Sequence, residues 1–314
     1  MLYEDITNNI ENIENIENIE NIENIENIEN IKIDQIYLEK INKLNINHFF
    51  GDWINNVEDL QSNFTHAKPF ENIVIDNFLN NEYAEKLSEL FPDNYEEWYK
   101  YENPIEVKYA FDEINILPEE LKNYFYILST KMFIDKIQKL TDINKLEYDE
   151  YLHGAGLHSH STNGRLNIHL DYEKHPYSGK ERRINIILFL SKEWKSEWNG
   201  ANELWNEDIT ECVVKTDVKF NRAIIFKTNS ISWHGVPDKI LCPNNIYRKS
   251  LAYYYVSPLN TIKQYDEYRQ KAKYSKRPSD KYNENLEKIY KIREKRRITK
   301  EDLDKYFPEW NVNK

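Results

Sequence analysis

The sequence predicts a mainly β domain with flanking helices. Several segments between residues 164 and 256 have the composition of strands, and the run 183–191 is almost continuously apolar, which is typical of a strand buried on both faces. Six of the seven glycines lie in the 82 residues from Gly154 to Gly235, where tight turns between strands would need them. Apolar residues at helical spacing occur before and after this stretch, so helices are expected on both sides of it.

Residues 70–150 are predicted to form a mixed cap on the strands. Asn80 is a candidate N-cap, apolar residues at helical spacing follow it, and Pro92 ends the pattern. Pro118 stands at a permitted first-turn position of a second helix. We expect that second helix to continue without a break through Ile137.

The N-terminal region has a different composition. Residues 9–29 are seven copies of Asn-Ile-Glu. A three-residue step carries the isoleucines around the axis of an α-helix and sends them to alternate faces of a strand, so neither form buries them on one side. Residues 1–65 are therefore predicted to be a low-complexity arm and linker, with the repeats solvated and mostly disordered. A self-associating arm is the alternative.

Residues 66–258 are predicted to form the β domain, and residues 259–314 a charged helical C-terminal extension. Residues 261–314 contain 16 Lys and Arg against 10 Asp and Glu, in a chain whose net charge is −12. Thr299 is placed to cap a short helix. Because the basic residues are interleaved with acidic ones and the whole chain would repel phosphates, we expect the extension to pack on the acidic β domain and not to bind nucleic acid.

The composition also bounds the compartment. Two cysteines, Cys212 and Cys242, are too few for a disulfide framework, and we expect buried free thiols. The first residues lack the basic and apolar segments of a secretory signal, and no apolar run approaches the roughly 20 residues that span a bilayer. A cytoplasmic protein without a membrane partner is therefore expected. The oligomeric state stays open.

One short motif carries the chemistry of the chain. His169 and Asp171 are two residues apart in a predicted strand, so their side chains point to the same face. If another strand returns His234 to this point, two imidazoles and one carboxylate form the facial triad of non-heme Fe(II) oxygenases. A His-x-Asp tripeptide is frequent by chance, and a Zn(II) hydrolase could use the same three ligands with a water molecule.

The segments around the motif follow a specific order. They are 164–171 (GRLNIHLD), 183–191 (RINIILFLS), 199–205 (NGANELW), 221–226 (NRAIIF), 232–236 (SWHGV) and 248–256 (RKSLAYYYV). This order resembles the 2-oxoglutarate/Fe(II) dioxygenases of the prolyl 4-hydroxylase-like group, over about Phe70 to Pro258. The resemblance implies a double-stranded β-helix, or jelly-roll, core with an N-terminal helical cap and a C-terminal helical tail. One difference is Gly200-Ala201 where the family usually has Gly-Gly, and we expect it to alter a turn without touching a ligand.

The resemblance assigns roles to five residues. His169, Asp171 and His234 would be the catalytic Fe(II) ligands, and Arg248 would pair with the far carboxylate of the co-substrate 2-oxoglutarate. A guanidinium is a bidentate fork suited to a carboxylate. Ser250 lies two residues further on the same strand face and could donate a second hydrogen bond. O2 is the other implied reactant, and ascorbate stays open as a further cofactor.

Two more residues are weaker candidates for the co-substrate pocket. Asn185 is a polar residue in a buried run, and buried amides must be paired, so it contacts either 2-oxoglutarate or a neighbouring backbone. His158 shares a strand face with His160, and the resemblance places that strand at the pocket. A packed or surface histidine is the alternative. Lys249 should face away from Arg248.

The predicted activity is hydroxylation of an aliphatic C–H of a prolyl or prolyl-like substrate, with release of succinate and CO2. Asp171 argues against halogenation, because halogenating relatives lack this carboxylate. One alternative is the same enzyme class acting on another amino acid or a sugar-linked small molecule, since the sequence does not distinguish a peptidyl from a small-molecule substrate. The other alternative is a non-catalytic metal-binding β-helix that serves as an interaction module.

Overall fold

The computed structural model describes residues 32–259 and 268–310. The predicted arm of Asn-Ile-Glu repeats, residues 9–29, lies outside the described residues. Cys212 and Cys242 are both free thiols, but only Cys242 is buried as expected, while Cys212 is half-buried.

The strands of the described residues form one continuous antiparallel sheet that folds into two halves. In chain order they are β1 (Asn72–Asp76), β2 (Tyr99–Asn103), β3 (Glu106–Phe111), β4 (Glu147–Tyr148), β5 (Gly156–His160), β6 (Arg165–Leu170), β7 (Glu181–Phe189), β8 (Asn202–Trp205), β9 (Cys212–Thr216), β10 (Arg222–Lys227), β11 (His234–Val236), β12 (Arg248–Ser257) and β13 (Lys273–Tyr274).

The strand order is that of a double-stranded β-helix. One half runs β1-β10-β7-β12-β5 and the other runs β6-β11-β8-β9, while β3 joins them by pairing with both β5 and β6. From β5 to β12 the chain passes repeatedly from one half to the other, so that residues distant in sequence become neighbours on the inner faces. The predicted jelly-roll core is confirmed.

Strand β7 shows why its sequence is almost continuously apolar. It lies between β10 and β12, and both of its faces are covered. Ile184, Ile186 and Leu188 pack into the core that the helices share, whereas Ile187 packs inside the β-helix. A strand with core on both sides has no solvated face, so its apolar residues do not alternate with polar ones.

Helices cover the outer face of the first half. The helices of the described residues are α1 (Gln35–Ile41), α2 (Val57–Thr65), α3 (Asn81–Leu90), α4 (Glu119–Leu128), α5 (Lys131–Thr141), α6 (Glu284–Arg293) and α7 (Lys300–Tyr306). Asn80 caps α3 by accepting from the backbone N–H of Glu82, and Thr299 caps α7, both as predicted.

The prediction of one unbroken helix from Pro118 to Ile137 is wrong. Helix α4 ends at Leu128 and α5 begins at Lys131, because the Thr130 hydroxyl accepts from the backbone N–H of Phe133 and starts a new helix. The break is held against β12, where the Tyr255 hydroxyl donates to the Leu128 carbonyl at 2.7 Å.

Residues 33–65 and the C-terminal extension both pack on the β domain. Phe64 of α2 and Leu38 of α1 are buried in the main core, where the sequence suggests a linker. In the extension, β13 pairs with β6, and Ile289 of α6 lies in a second core with Ile105. The division of the chain into three regions stays a prediction, but the core continues across both predicted boundaries.

Strands β2 and β3 form a hairpin that the sequence analysis does not predict. It is paired from Tyr99–Ala110 to Asn103–Glu106. Strand β3 of the hairpin pairs with β6 at one end and with β5 at the other, so it joins the two halves of the β-helix. Across residues 32–259 and 268–310, no helix has the length and apolar character needed to cross a bilayer.

Tyr255→Phe tests the contact that pins the helix break. The change keeps the ring packing but leaves the buried Leu128 carbonyl without its donor, so we expect the free energy of unfolding to fall by about 1–3 kcal/mol. Urea denaturation of both proteins measures the difference. Tyr282→Phe is the control, because Tyr282 is 70% exposed and should leave the stability unchanged. Equal stability of Tyr255→Phe and the native protein would show that this hydrogen bond does not hold the break.

Candidate active site

The structure brings His169, Asp171 and His234 together inside the β-helix. His169 on β6 and His234 on β11 are cross-strand partners, and Asp171 follows β6 directly. One ligand atom from each of the three residues lies within 4.8 Å of the others. The imidazole Nε2 atoms are 3.6 Å (His169) and 3.7 Å (His234) from oxygens of the Asp171 carboxylate. All three side chains are buried, so the cluster is not a chance grouping on the surface.

Backbone carbonyls orient both imidazoles. The Nδ1–H of His169 donates to the carbonyl of Asn167, and the Nδ1–H of His234 donates to the carbonyl of Ser232, each at 2.9 Å. Because Nδ1 carries the hydrogen in both rings, the neutral form of each ring has its lone pair on Nε2, on the side of Asp171. Metal-binding histidines in proteins are fixed in this way, so the rings are held in the form that a metal requires.

The charges of the cluster also suit a metal ion. Burial alone would raise the pKa of Asp171, but the imidazoles of His234 and His169 hold it well below its usual range. Burial lowers the pKa of His234 to about 4, in spite of the opposing charge of Asp171. Near neutral pH the cluster therefore contains an ionised carboxylate beside a neutral His234 ring, which is the state that binds a divalent cation.

A buried arginine and two tyrosines stand behind Asp171. The hydroxyl of Tyr254, on β12, donates to the Asp171 carboxylate at 3.2 Å. The guanidinium of Arg182 lies between two aromatic rings, 3.6 Å from the centre of Tyr254 and 3.8 Å from that of Tyr172. Arg182 is almost fully buried. This stack packs behind the Asp171 carboxylate and holds it in position. The sequence analysis does not predict the stack.

Two residues of the C-terminal extension also support the cluster. The Arg269 guanidinium donates to the Asp171 carbonyl from Nε at 2.8 Å and from Nη2 at 2.5 Å. Its backbone N–H donates to the Glu173 carboxylate at 3.0 Å. The ring of Tyr274 on β13 stacks on His169, with 5.2 Å between centroids. The predicted limit of the β domain at residue 258 therefore leaves out residues that contact the site.

Arg248 is buried without a counter-anion among the described residues. No described carboxylate lies within 4.0 Å of its guanidinium. Its Nε donates to the Gly200 carbonyl at 2.6 Å and its Nη1 donates to the Ser250 hydroxyl at 3.4 Å. Burial lowers the pKa of Arg248 to about 9, which still leaves the group charged at neutral pH.

The remaining candidates share the inner face with Arg248. His160 is the cross-strand partner of Arg248, and His158 is that of Ser250. Asn185 is opposite Tyr254 on one side and Phe226 on the other, and both of those rings touch the metal-ligand cluster.

Lys249 points to the opposite face, as predicted. Its Nζ lies over the ring of Phe91, 5.2 Å from the centroid. The Gly200-Ala201 turn contacts Arg248, because the Gly200 carbonyl accepts from the Arg248 guanidinium. Gly200 has φ of +90°, and a side chain there would press on Arg248 at 3.2 Å, so this glycine sets the position of the guanidinium.

The match to a protein family decides the identity of this arrangement. Residues 155–256, which carry the three clustered residues and Arg248, match the family model of the 2OG-Fe(II) oxygenase superfamily. This part of the chain has the sequence of that superfamily. The chain is therefore a 2-oxoglutarate-dependent dioxygenase, and the non-catalytic module is set aside. No curated protein matches the sequence.

Several solved structures are similar to the oxygenase at low sequence identity. A Pseudomonas putida prolyl-4-hydroxylase is 14% identical, with a TM-score of 0.46 over 65% of this chain and 100% of that one. A Trichoplax adhaerens prolyl hydroxylase in complex with a hypoxia-inducible-factor peptide is 14% identical, with a TM-score of 0.44 over 73% and 96%. HygX from Streptomyces hygroscopicus, with nickel, 2-oxoglutarate and hygromycin B bound, is 11% identical, with a TM-score of 0.40 over 67% and 88%.

Arg269→Ala tests the support that the extension gives to the oxygenase site. Loss of the two bonds to Asp171 should weaken Fe(II) binding on the order of tenfold, the usual effect of removing a partner that orients a metal ligand. Anaerobic Fe(II) titration measures the affinity, and thermal unfolding measures the stability.

Arg277→Ala is the matched control for this prediction. Arg277 lies in the same extension and is ion-paired with Asp238 at 2.8 Å and Asp280 at 3.0 Å. It should lose stability and keep its Fe(II) affinity. The supporting role of Arg269 would be refuted by an Fe(II) affinity in Arg269→Ala equal to that of the control.

Proposed function

We propose that this dioxygenase hydroxylates an aliphatic C–H of a prolyl or prolyl-like substrate, with release of succinate and CO2. The observation that carries the proposal is a pair of buried sites inside the β-helix, one on each of its two halves. One is a cluster of two imidazoles and a carboxylate, and the other is the guanidinium of Arg248 without a described counter-anion. The prolyl specificity rests on the sequence resemblance, and another amino acid or a sugar-linked small molecule is the alternative substrate.

His169, Asp171 and His234 are proposed as the Fe(II) ligands. Two neutral nitrogen donors and one hard oxygen donor are the set that suits non-heme Fe(II) and leaves coordination positions for reactants. Their burial and the fixed Nδ1–H bonds mean that little reorganisation is needed on binding. Tyr254 and Arg269 would hold Asp171 in place from its carboxylate and its carbonyl.

The second site has the polar groups that 2-oxoglutarate would need. Arg248 is proposed to donate to its far carboxylate, with the hydroxyl of Ser250 beside it. Both ring nitrogens of His160 and the side-chain oxygen of Asn185 are buried without a hydrogen-bond partner. Buried polar atoms are normally paired, so unsatisfied ones facing the same interior indicate a place for a polar ligand. His158 is proposed as a further contact, because it faces the same interior beside Ser250.

The residues of the chain would then perform three tasks. The inner faces exclude water, since the cluster and Arg248 are almost fully buried. The ligands and Arg248 orient 2-oxoglutarate between them. Bound Fe(II) with 2-oxoglutarate and O2 supplies the oxidising chemistry, in which oxidative decarboxylation of 2-oxoglutarate is coupled to C–H hydroxylation.

His234→Ala tests the proposed ligand set. Removal of one of three ligands should abolish Fe(II)-dependent release of succinate, because the imidazole touches the metal and little of the core. Succinate release is followed on exposure to O2 with a panel of prolyl peptides and metabolites, and circular dichroism checks the fold. Native succinate release by the folded variant would show that His234 is not a ligand.

Arg248→Ala separates the dioxygenase from a Zn(II) hydrolase built on the same three ligands. Loss of a charge-assisted bond to a buried carboxylate costs on the order of 2–5 kcal/mol, so we expect 2-oxoglutarate binding to weaken roughly 30-fold or more. Fe(II) affinity should be nearly unchanged. The measurement is a 2-oxoglutarate titration under nitrogen that follows the metal-to-ligand charge-transfer absorption.

Lys249→Ala is the internal control, since Lys249 faces the helices. It should bind 2-oxoglutarate like the native protein. Equal weakening in both variants, or none in Arg248→Ala, would remove the assignment of Arg248 and favour the hydrolase.

A further inference from the structure

Three basic side chains of the C-terminal extension form a rim beside the active site. They are Lys271, Arg293 and Arg297, which together we call the basic rim. Arg293, at the end of α6, lies over the ring of Tyr274, 5.9 Å from the centroid. Because Tyr274 in turn stacks on the proposed ligand His169, Arg293 is one aromatic ring away from the metal-ligand cluster.

Arg297 lies where several segments of the fold come together. It lies over the ring of Tyr99 on β2, 5.9 Å from the centroid. Its charge also acts on Tyr177, in the loop that follows Asp171, where it opposes the rise in pKa caused by burial. Burial and then the charges of Arg293 and Arg297 lower the pKa of Lys271, so these two charges also act on Lys271.

The basic rim is not neutralised by the described residues. No described carboxylate lies within 4.0 Å of a cationic nitrogen of Lys271, Arg293 or Arg297. Among the carboxyl groups that act on this region, Glu106 is already paired with Lys108 at 3.0 Å. Asp112 lies beyond ion-pair distance, and burial raises its pKa to about 6 while Arg297 opposes the rise.

Unpaired cations in this position call for a ligand. The chain has a net charge of −12, and Arg277 and Arg296 of the same extension are paired with aspartates. Three like charges held close together repel one another, so a bound anion would stabilise the arrangement. The exposed ring of Tyr99 adds an apolar surface next to them.

We infer that the basic rim binds a carboxylate group of the substrate, at a distance from the C–H that reacts. This inference rests on the proposed function, since it deepens the substrate class of the same site. The carboxylate could belong to an acidic residue of a peptide or to a free amino acid. In both cases the rim would select acidic over neutral substrates and add long-range attraction to an otherwise acidic enzyme.

Binding of two matched peptides to the full chain tests the inference. Both are hexapeptides with one central proline, flanked either by glutamates or by glutamines, and both carry the same uncharged fluorophore. Fluorescence anisotropy under nitrogen, with Fe(II) and 2-oxoglutarate present, measures their affinities at low and at high salt. We expect the glutamate peptide to bind about tenfold more tightly at low salt, with the difference shrinking as salt screens the charges.

Two sets of variants assign the preference to the rim. Lys271→Ser, Arg293→Gln and Arg297→Gln together should abolish the preference for the glutamate peptide. Lys271→Glu alone changes an exposed position and should reduce it without affecting folding. The control is Lys291→Gln with Lys295→Gln, which removes two exposed lysines from the same part of the extension and should leave the preference intact.

The outcomes are separable. Equal affinity for the two peptides at low salt, or an equal loss in the Lys291 and Lys295 control, would overturn the inference. Displacement of the glutamate peptide by free glutamate would identify a small carboxylate as the preferred source. If succinate is released but acidic peptides are not preferred, the inference about the basic rim is refuted and the proposed function is not. If the preference depends on the basic rim but no substrate leads to succinate release, the proposed function is refuted and the inference that the rim binds a carboxylate still holds.

Discussion

The active site depends on the pairing of β6 with β11. This pairing sets His169 directly opposite His234, and the alternation of side chains along β6 brings Asp171 to the same point. Neither strand could position the set alone, because the two histidines are 65 residues apart in the chain. The intervening strands β7 to β10 must therefore be in register before the ligands can meet. The apolar core on both faces of β7 maintains that register, since a shift of one residue would move its buried side chains to the wrong face.

Most residues that the sequence analysis identified break a local pattern: the His-Leu-Asp end of a strand, the Arg-Lys-Ser start of an apolar strand, and the asparagine within a buried run. His158 and His234 break no such pattern and depend on the family resemblance. A charged or polar group in such a place needs a partner, and this requirement is visible without a structure. The supporting residues break no pattern. Tyr254 lies between two other tyrosines, and only its inward direction distinguishes it from Tyr253 and Tyr255, which bond to the helix break.

The same reasoning explains what was missed in the fold. The end of α4 is marked only by Ser129 and Thr130, whose side chains bond the preceding helical carbonyls as well as the next turn. Helix periodicity continues through this point, so the break depends on the Thr130 cap together with the contact of Tyr255 on β12. Arg269 and Tyr274 could not be assigned either, because their partners lie some 100 residues earlier in the chain.

The position of Arg269 and Tyr274 has a consequence for the order in which the site is assembled. During synthesis from the N-terminus, β6, β11 and β12 leave the ribosome before the segment that carries these two residues. The β-helix can close at that stage, with Asp171 lacking its carbonyl partner and His169 its stacked ring. The site would then reach its full affinity for the metal only after the last segment has docked on β6. Uptake of the cofactor is in this way coupled to completion of the fold.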